Sequence, residues 1–152
     1  MAVLVLVEHA DGQIDDLSLQ ALALARNLGE GEPLTALLVG EGRPEASAAL
    51  GAHGVGSALV AEDERLGAYA PGAWARCVTD ALDRTGAGAV VAAGSERGNE
   101  VLSHVAARLD LPFAANCTEV QGTSPLTVTI SAGTYTRRVT MTTAGQVRIT
   151  PP

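Results

Sequence analysis

Residues 89–100 read Ala89-Val90-Val91-Ala92-Ala93-Gly94-Ser95-Glu96-Arg97-Gly98-Asn99-Glu100. Five small apolar residues run without a polar break and stop at a glycine and a hydroxyl. A helical pattern follows, with Leu102, Val105, Ala106 and Leu109 at three- and four-residue spacing, ended by Pro112. A continuous apolar run marks a strand covered on both faces. The glycine–serine step marks a turn into a helix, with Ser95 or Asn99 as its cap.

The same alternation recurs upstream. Ala2–Val7 is nearly all Val and Leu, and Leu34–Val39 and Ala58–Ala61 are further buried strands. Between them lie a helix over Leu17–Leu28, with Leu17, Ala21, Leu24, Ala25 and Leu28 inward, and a short one over Pro44–Leu50. Asp15 and Asp16 suit the positive end of the first helix, Arg26 suits its other end, and Gly29 stops it. A helix over Pro71–Thr85 turns Trp74, Val78, Ala81 and Leu82 inward, and its proline falls where a helix has no N–H bond to lose. This order predicts parallel strands with helices on both faces: an α/β fold, a Rossmann-like three-layer sandwich.

Beyond Pro112 the period changes. Leu126, Val128 and Ile130 alternate with Thr127, Thr129 and Ser131, and Tyr135, Arg137, Val139 and Met141 alternate with Thr136, Arg138, Thr140 and Thr142. Ala144–Gly145 reads as a turn before Gln146–Thr150. These segments are expected as additional, antiparallel strands appended to a mostly parallel sheet. Pro151–Pro152 continues neither sheet nor helix and reads as a domain boundary, so residues 1–152 are expected to be one domain.

Composition narrows the chemistry. The 152 residues are 47% hydrophobic and 18% charged, which fits a single core of about 100–200 residues and excludes general disorder. Seventeen acids against ten bases give a net charge of -7, so there is no basic stripe for nucleic acid. All ten bases are arginines, and the absence of lysine removes the Walker phosphate-binding lysine and Schiff-base chemistry. Cys77 and Cys117 stand far apart, which predicts neither disulfide framework nor metal site. The opening apolar run is too short to span a membrane and has no basic leader, so no membrane insertion and a cytoplasmic location are expected.

The turn Gly94–Asn99 is the candidate ligand position. It lies at the carboxyl end of a parallel strand, where helix N-termini present unpaired N–H groups to anions. Gly94 would let the chain turn tightly and Ser95 would offer its hydroxyl. Glu8-His9 ends the first strand on the same edge; without a nucleophile or third group, a hydrogen-bonding or interface role is expected for it. His53 and His104 have no partner at metal spacing. Arg137-Arg138 lie on opposite faces of one strand and would pair with acidic groups. Gly94-Ser95-Glu96-Arg97-Gly98 is not a nucleophile elbow, no GxGxxG is complete, and HExxH and CxxC are absent. No catalytic machinery and no metal ligands are expected.

The ordered series of motifs resembles the alpha subunit of the electron transfer flavoprotein family. It consists of Val3-Leu4-Val5-Leu6-Val7-Glu8-His9, then Leu17–Gly29, Gly54-Val55-Gly56-Ser57-Ala58-Leu59-Val60-Ala61-Glu62-Asp63, and Ala93–Leu102 followed by Val105–Leu109. Asn116-Cys117-Thr118-Glu119-Val120, Ser131-Ala132-Gly133 and Gln146-Val147-Arg148 complete it. The resemblance implies a fold of the adenine-nucleotide alpha-hydrolase-like type, and an amino-terminal domain that serves mainly as scaffold and subunit interface in an electron carrier between flavin dehydrogenases and the respiratory chain. It implies FAD in the complete family protein, held largely by a carboxy-terminal domain that would begin where this sequence stops. This chain alone is expected to bind none tightly, with Gly94, Ser95, Gly98 and Asn99 as the cofactor-side residues. A beta-type subunit is the implied partner, and a homo-oligomer is the other expected assembly. The rival reading is a free-standing nucleotide-binding regulator resembling universal stress proteins. Its later phosphate-gripping Gly-Ser/Thr pair is missing, because Val101–Asp110 contains no glycine.

Overall fold

The computed structural model describes residues 1–41, 44–117, 119–121, 126–130, 138–141 and 147–150; at 119 and from 121 onward it describes the backbone alone. The elements are β1 (Val3–Leu6), β2 (His9–Ala10), β3 (Gln13–Ile14), α1 (Asp16–Leu28), β4 (Leu34–Val39), α2 (Pro44–Leu50), β5 (Val55–Ala61), α3 (Pro71–Thr85), β6 (Ala89–Ala93) and α4 (Glu96–Leu109). β7 (Phe113–Cys117), β8 (Glu119–Gln121), β9 (Leu126–Ile130), β10 (Arg138–Met141) and β11 (Val147–Thr150) follow.

The main sheet has six strands in the order β5-β4-β1-β6-β9-β7. Every pairing in it is parallel. β1 is central, flanked by β4 and β6 as its unbroken apolar character requires: Leu4 stands opposite Thr35 on one side and Val90 on the other. Alternation along the strands divides the core into two layers. Val3, Val5 and Val7 join Leu34, Ala36, Leu38, Ala89 and Val91 under Ala21, Leu22, Ala25 and Leu28 of α1 and Ala46 and Leu50 of α2. Leu4 and Leu6 join Leu37, Val39, Val90 and Ala92 under Trp74, Ala75 and Val78 of α3 and Val101, Leu102 and Val105 of α4. The result is the Rossmann-like three-layer sandwich that the alternation predicts.

Three sequence expectations are corrected. β9 is not an appended antiparallel strand; it pairs parallel with both β6 and β7 inside the main sheet. A period of two specifies which residues share a face but not which neighbour supplies the hydrogen bonds. The second expected strand survives as β10, antiparallel to β11 yet parallel to β8. β5 begins at Val55 rather than Ala58: Ser57 pairs with Thr35 of β4 at an exposed edge, and Gly56 is the extra residue where the register shifts. α4 begins at Glu96, with Ser95 as its cap, one of the two expected. Arg137, Tyr135, the Ala144–Gly145 turn, Ser131-Ala132-Gly133, Thr118 and Pro151–Pro152 lie outside the described residues.

Between β1 and α1 the chain makes a small hairpin. β2 and β3 pair antiparallel around Asp11 and Gly12, both with positive φ (51° and 79°). That is the conformation Asp-Gly favours in a two-residue hairpin loop. The hairpin carries His9 out over the carboxyl edge of the sheet.

Leu6 is only 1% exposed and packs in the α3/α4 layer. Leu6→Ala should destabilise the domain by about 2–5 kcal/mol, as buried leucine truncations do. Urea denaturation followed by far-ultraviolet circular dichroism checks this, with Leu109→Ala, exposed on α4, as the near-neutral comparison.

Candidate functional site

β1 and β6 are hydrogen-bonded neighbours, so the residues after them, Glu8 and Gly94, emerge side by side at the carboxyl edge. This edge is where open α/β sheets bind ligands. Glu8 is anchored from below: its N–H donates to the hydroxyl of Ser18 at 2.9 Å, and its carbonyl accepts from the Asp15 N–H at 3.0 Å. Ser18 is fully buried on α1, where a polar residue persists because it holds the end of β1.

Ser95 is the N-cap of α4, its hydroxyl accepting from the Gly98 N–H at 2.9 Å. The same hydroxyl donates to a carboxylate oxygen of Glu8. The protein's own carboxylate therefore lies at the positive end of α4, the position an anionic ligand would take. Gly98 is buried for a different reason. A Cβ there would lie 2.0 Å from the carbonyl oxygen of Ala93, so only glycine lets the first turn of α4 press against the end of β6. Gly94 does not use glycine's left-handed freedom; the described glycines with positive φ are Gly12, Gly31, Gly40, Gly54 and Gly86. Asn99 lies within α4 rather than capping it, and its side-chain amide donates to Asn116 at 3.5 Å. Asn116 has φ of 54° where the β7–β9 register shifts.

Arg97, exposed on the first turn of α4, bridges to the opposite helix. Its guanidinium lies 4.9 Å from the ring centre of Tyr69 and 5.9 Å from that of Trp74, within cation–π range. The two rings meet edge to face at 5.3 Å. The Tyr69 hydroxyl donates to Glu100 at 2.8 Å. Burial, then the hydrogen bond to Glu100 and its negative charge, push the Tyr69 phenol well above its ordinary value. The indole N–H of Trp74 and Nε2 of His9 are buried without a hydrogen-bond partner. An unpaired buried polar group costs about 1–3 kcal/mol.

Two cavities meet at this edge. One of about 430 Å³ is lined by Glu8, His9, Asp15, Asp16 and Arg97 among others. One of about 250 Å³ lies between His9, Gly40, Leu66, Trp74 and Arg97. A larger hollow of about 660 Å³ sits by the end of α1, at Arg26 and Glu30. Among the described residues no cluster of His, Cys, Asp or Glu could hold a metal ion, and no helix is long and apolar enough to cross a membrane. His53 is in a 3₁₀ turn, and His104 is exposed on α4.

The structure thus brings Ser95 and Gly98 together with Glu8, and places Gly94 and Asn99 beside them. Sequence reading missed Ser18, Tyr69 and Asn116, and the part Arg97 and Trp74 play here. A serine on an otherwise apolar helix face was a usable signal for the first; nothing local pointed to the others.

This architecture defines a Rossmann-like α/β domain whose carboxyl-edge crevice is partly filled by its own side chains. A family model described as "Electron transfer flavoprotein domain" matches residues 3–150. The electron transfer flavoprotein subunit alpha, mitochondrial, of Arabidopsis thaliana is 28% identical over 154 residues, covering 99% of this chain and 42% of that protein. The electron transfer flavoprotein subunit alpha of Clostridium acetobutylicum is 28% identical over 120 residues, covering 78% of this chain and 36% of that protein. A subunit of an Acetobacterium woodii lactate dehydrogenase (NAD(+),ferredoxin), LctC, is 26% identical over 118 residues. The chain belongs to the electron transfer flavoprotein family, as an amino-terminal domain of the alpha-subunit type. It spans roughly two fifths of the length of the alpha subunits it matches, 42% and 36% in these two.

Gly98→Ala should destabilise the fold by roughly 1–3 kcal/mol through overpacking against Ala93. Denaturant titration checks this, with Gly67→Ala, which meets open space, as the tolerated control. Tyr69, one of two tyrosines, should keep its proton above the ordinary tyrosine range near pH 10. Its raised folded value means that the native state holds a proton the unfolded chain has lost. Its contribution to stability is full below about pH 10 and is lost as pH rises toward the folded value. Absorbance at 295 nm during alkaline titration, compared between the protein and Tyr69→Phe, checks the assignment.

Proposed function

We propose that this domain is the scaffold and subunit-interface part of an electron carrier, working with a beta-type subunit, while FAD is held mainly by a separate carboxy-terminal domain. The carrier passes electrons from flavin dehydrogenases toward the respiratory chain and is not itself an enzyme. Residues 1–152 act as one domain, and the location is cytoplasmic.

The observation that supports this reading most is the state of the α4 N-terminus. Ser95 already serves the Gly98 N–H and the Glu8 carboxylate, so neither its hydroxyl nor the helix end is free to grip a phosphate. An exposed helix end contributes about 0.3–1 kcal/mol toward an anion, against roughly 8 kcal/mol for micromolar affinity. With three aromatic residues among those described around the site and core, Tyr69, Trp74 and Phe113, and the first two engaged with each other and Arg97, no open stacking platform for an isoalloxazine ring remains in that group. The residues present do not fit FAD as a complete site. Gly94, Ser95, Gly98 and Asn99 are proposed to form the cofactor-side rim in the assembled carrier, shaping the crevice rather than holding phosphates. The reading as a free-standing nucleotide-binding regulator is not favoured by the family match.

The chain purified with added FAD and stripped of free ligand should be colourless, and co-expression with a beta-type subunit should yield a joint complex. A stoichiometric flavin spectrum from the chain alone would overturn the cofactor assignment, and failure to co-purify would overturn the interface assignment.

A further inference from the structure

β5 borders the six-stranded sheet, and its seven residues, Val55–Ala61, hold neither a charge nor a proline. Edge strands are ordinarily kept from further pairing by charges, prolines or bulges. The device present here is the register shift at Gly56, close to the start of the strand. The rest of the strand is regular and open. The Gly40 N–H donates to the Ala61 carbonyl at 3.0 Å, so Ala61 turns its backbone toward β4. By alternation Leu59 does the same, and Ala58 and Val60 turn their N–H and C=O groups outward. The side chains of Ala58 and Val60 share one face; Ala58 is exposed and Val60 is 43% exposed. On the other face Leu59 borders a hollow of about 230 Å³ beside α3.

Charge at the two ends of the strand decides what pairs with it. Arg26 of α1 crosses the beginning: a Cβ on Gly54 would lie 2.9 Å from its Cδ and Nε. Glu62 follows the end. Both side chains are exposed, and neither forms an ion pair among the described residues. A second copy laid antiparallel against β5 brings each Glu62 to the other copy's Arg26. A parallel copy brings Glu62 to Glu62 and Arg26 to Arg26. The antiparallel arrangement also points the acid-bearing carboxyl edges of the two sheets in opposite directions, which matters for a chain of net charge -7.

We propose that β5 is a self-association surface, on which a second copy of this chain pairs its own β5 antiparallel across a two-fold axis at Leu59. Such an interface uses the same patch on both copies, each contact occurring twice. Ala58 of one copy and Val60 of the other form a hydrogen-bonded pair that exchanges both N–H···O bonds, and the small Ala58 side chain receives the exposed Val60. Leu59 meets its own copy on the axis. Glu62 comes opposite Gly56 of the second copy, about 7 Å along the strand from the Gly54 that Arg26 crosses, within reach of its guanidinium. The carboxyl-edge crevice and the β7 border of the sheet stay clear of this contact. The assignment goes beyond the carrier role and does not depend on it.

Sedimentation equilibrium of the purified chain should fit a reversible monomer–dimer system. Val60→Lys, at an exposed position, should leave a monomer with an unchanged far-ultraviolet circular dichroism spectrum. Arg26→Glu and Glu62→Arg should each raise the dimer Kd about tenfold, because one reversal turns two attractions per dimer into repulsions. The double variant, with the charges exchanged, should return Kd to within about threefold of the starting value. A chain that stays monomeric at millimolar concentration would overturn the assignment. So would a dimer that persists in Val60→Lys, single charge reversals that leave Kd unchanged, or an exchanged pair that associates no better than the single variants.

Discussion

β1 meets water on neither face. Val3, Val5 and Val7 need α1 and α2 above them, while Leu4 and Leu6 need α3 and α4 below. Each fully buried Val or Leu contributes about 1.5–3 kcal/mol relative to exposure. A strand so apolar can sit only at the centre of a covered parallel sheet, and that requirement sets the crossovers, the two helical layers and the side-by-side exit of β1 and β6. The crevice at the carboxyl edge follows from the same constraint.

The electron transfer flavoprotein family membership gives this crevice its context, and the local chemistry shows what occupies it. Glu8 reaches the N-terminus of α4 through Ser95, and Gly98 draws that helix onto β6. The usual anion position is thereby satisfied internally, which converts a binding feature into a structural tie. Beside it, Arg97 crosses from α4 to the rings on and before α3 and joins the two helices of one layer. The hairpin at Asp11–Gly12 brings His9 against this group, leaving hydrogen-bonding capacity on Trp74 and His9 unspent.

The amino-acid sequence by itself determined the buried strands β1, β4 and β6, because an apolar run with no polar break has no other stable place in a small domain. It also determined α2 and α3 to the residue, because proline and glycine act on the backbone within one turn, while it left the cap of α4 between Ser95 and Asn99. The Asp11–Gly12 turn is a local preference too, but the two-residue strands beside it are too short to show alternation and came only with the structure. Tertiary structure alone decided that β9 enters the main sheet between β6 and β7, since alternation records faces and not neighbours. It alone decided that Gly98 serves close packing, and that Glu8 meets Ser95 across 87 residues of chain. The convergence of His9, Trp74 and Arg97 belongs to the same class: local patterns encode burial and turning, whereas which side chains face one another is settled by strand pairing and helix packing over the whole domain.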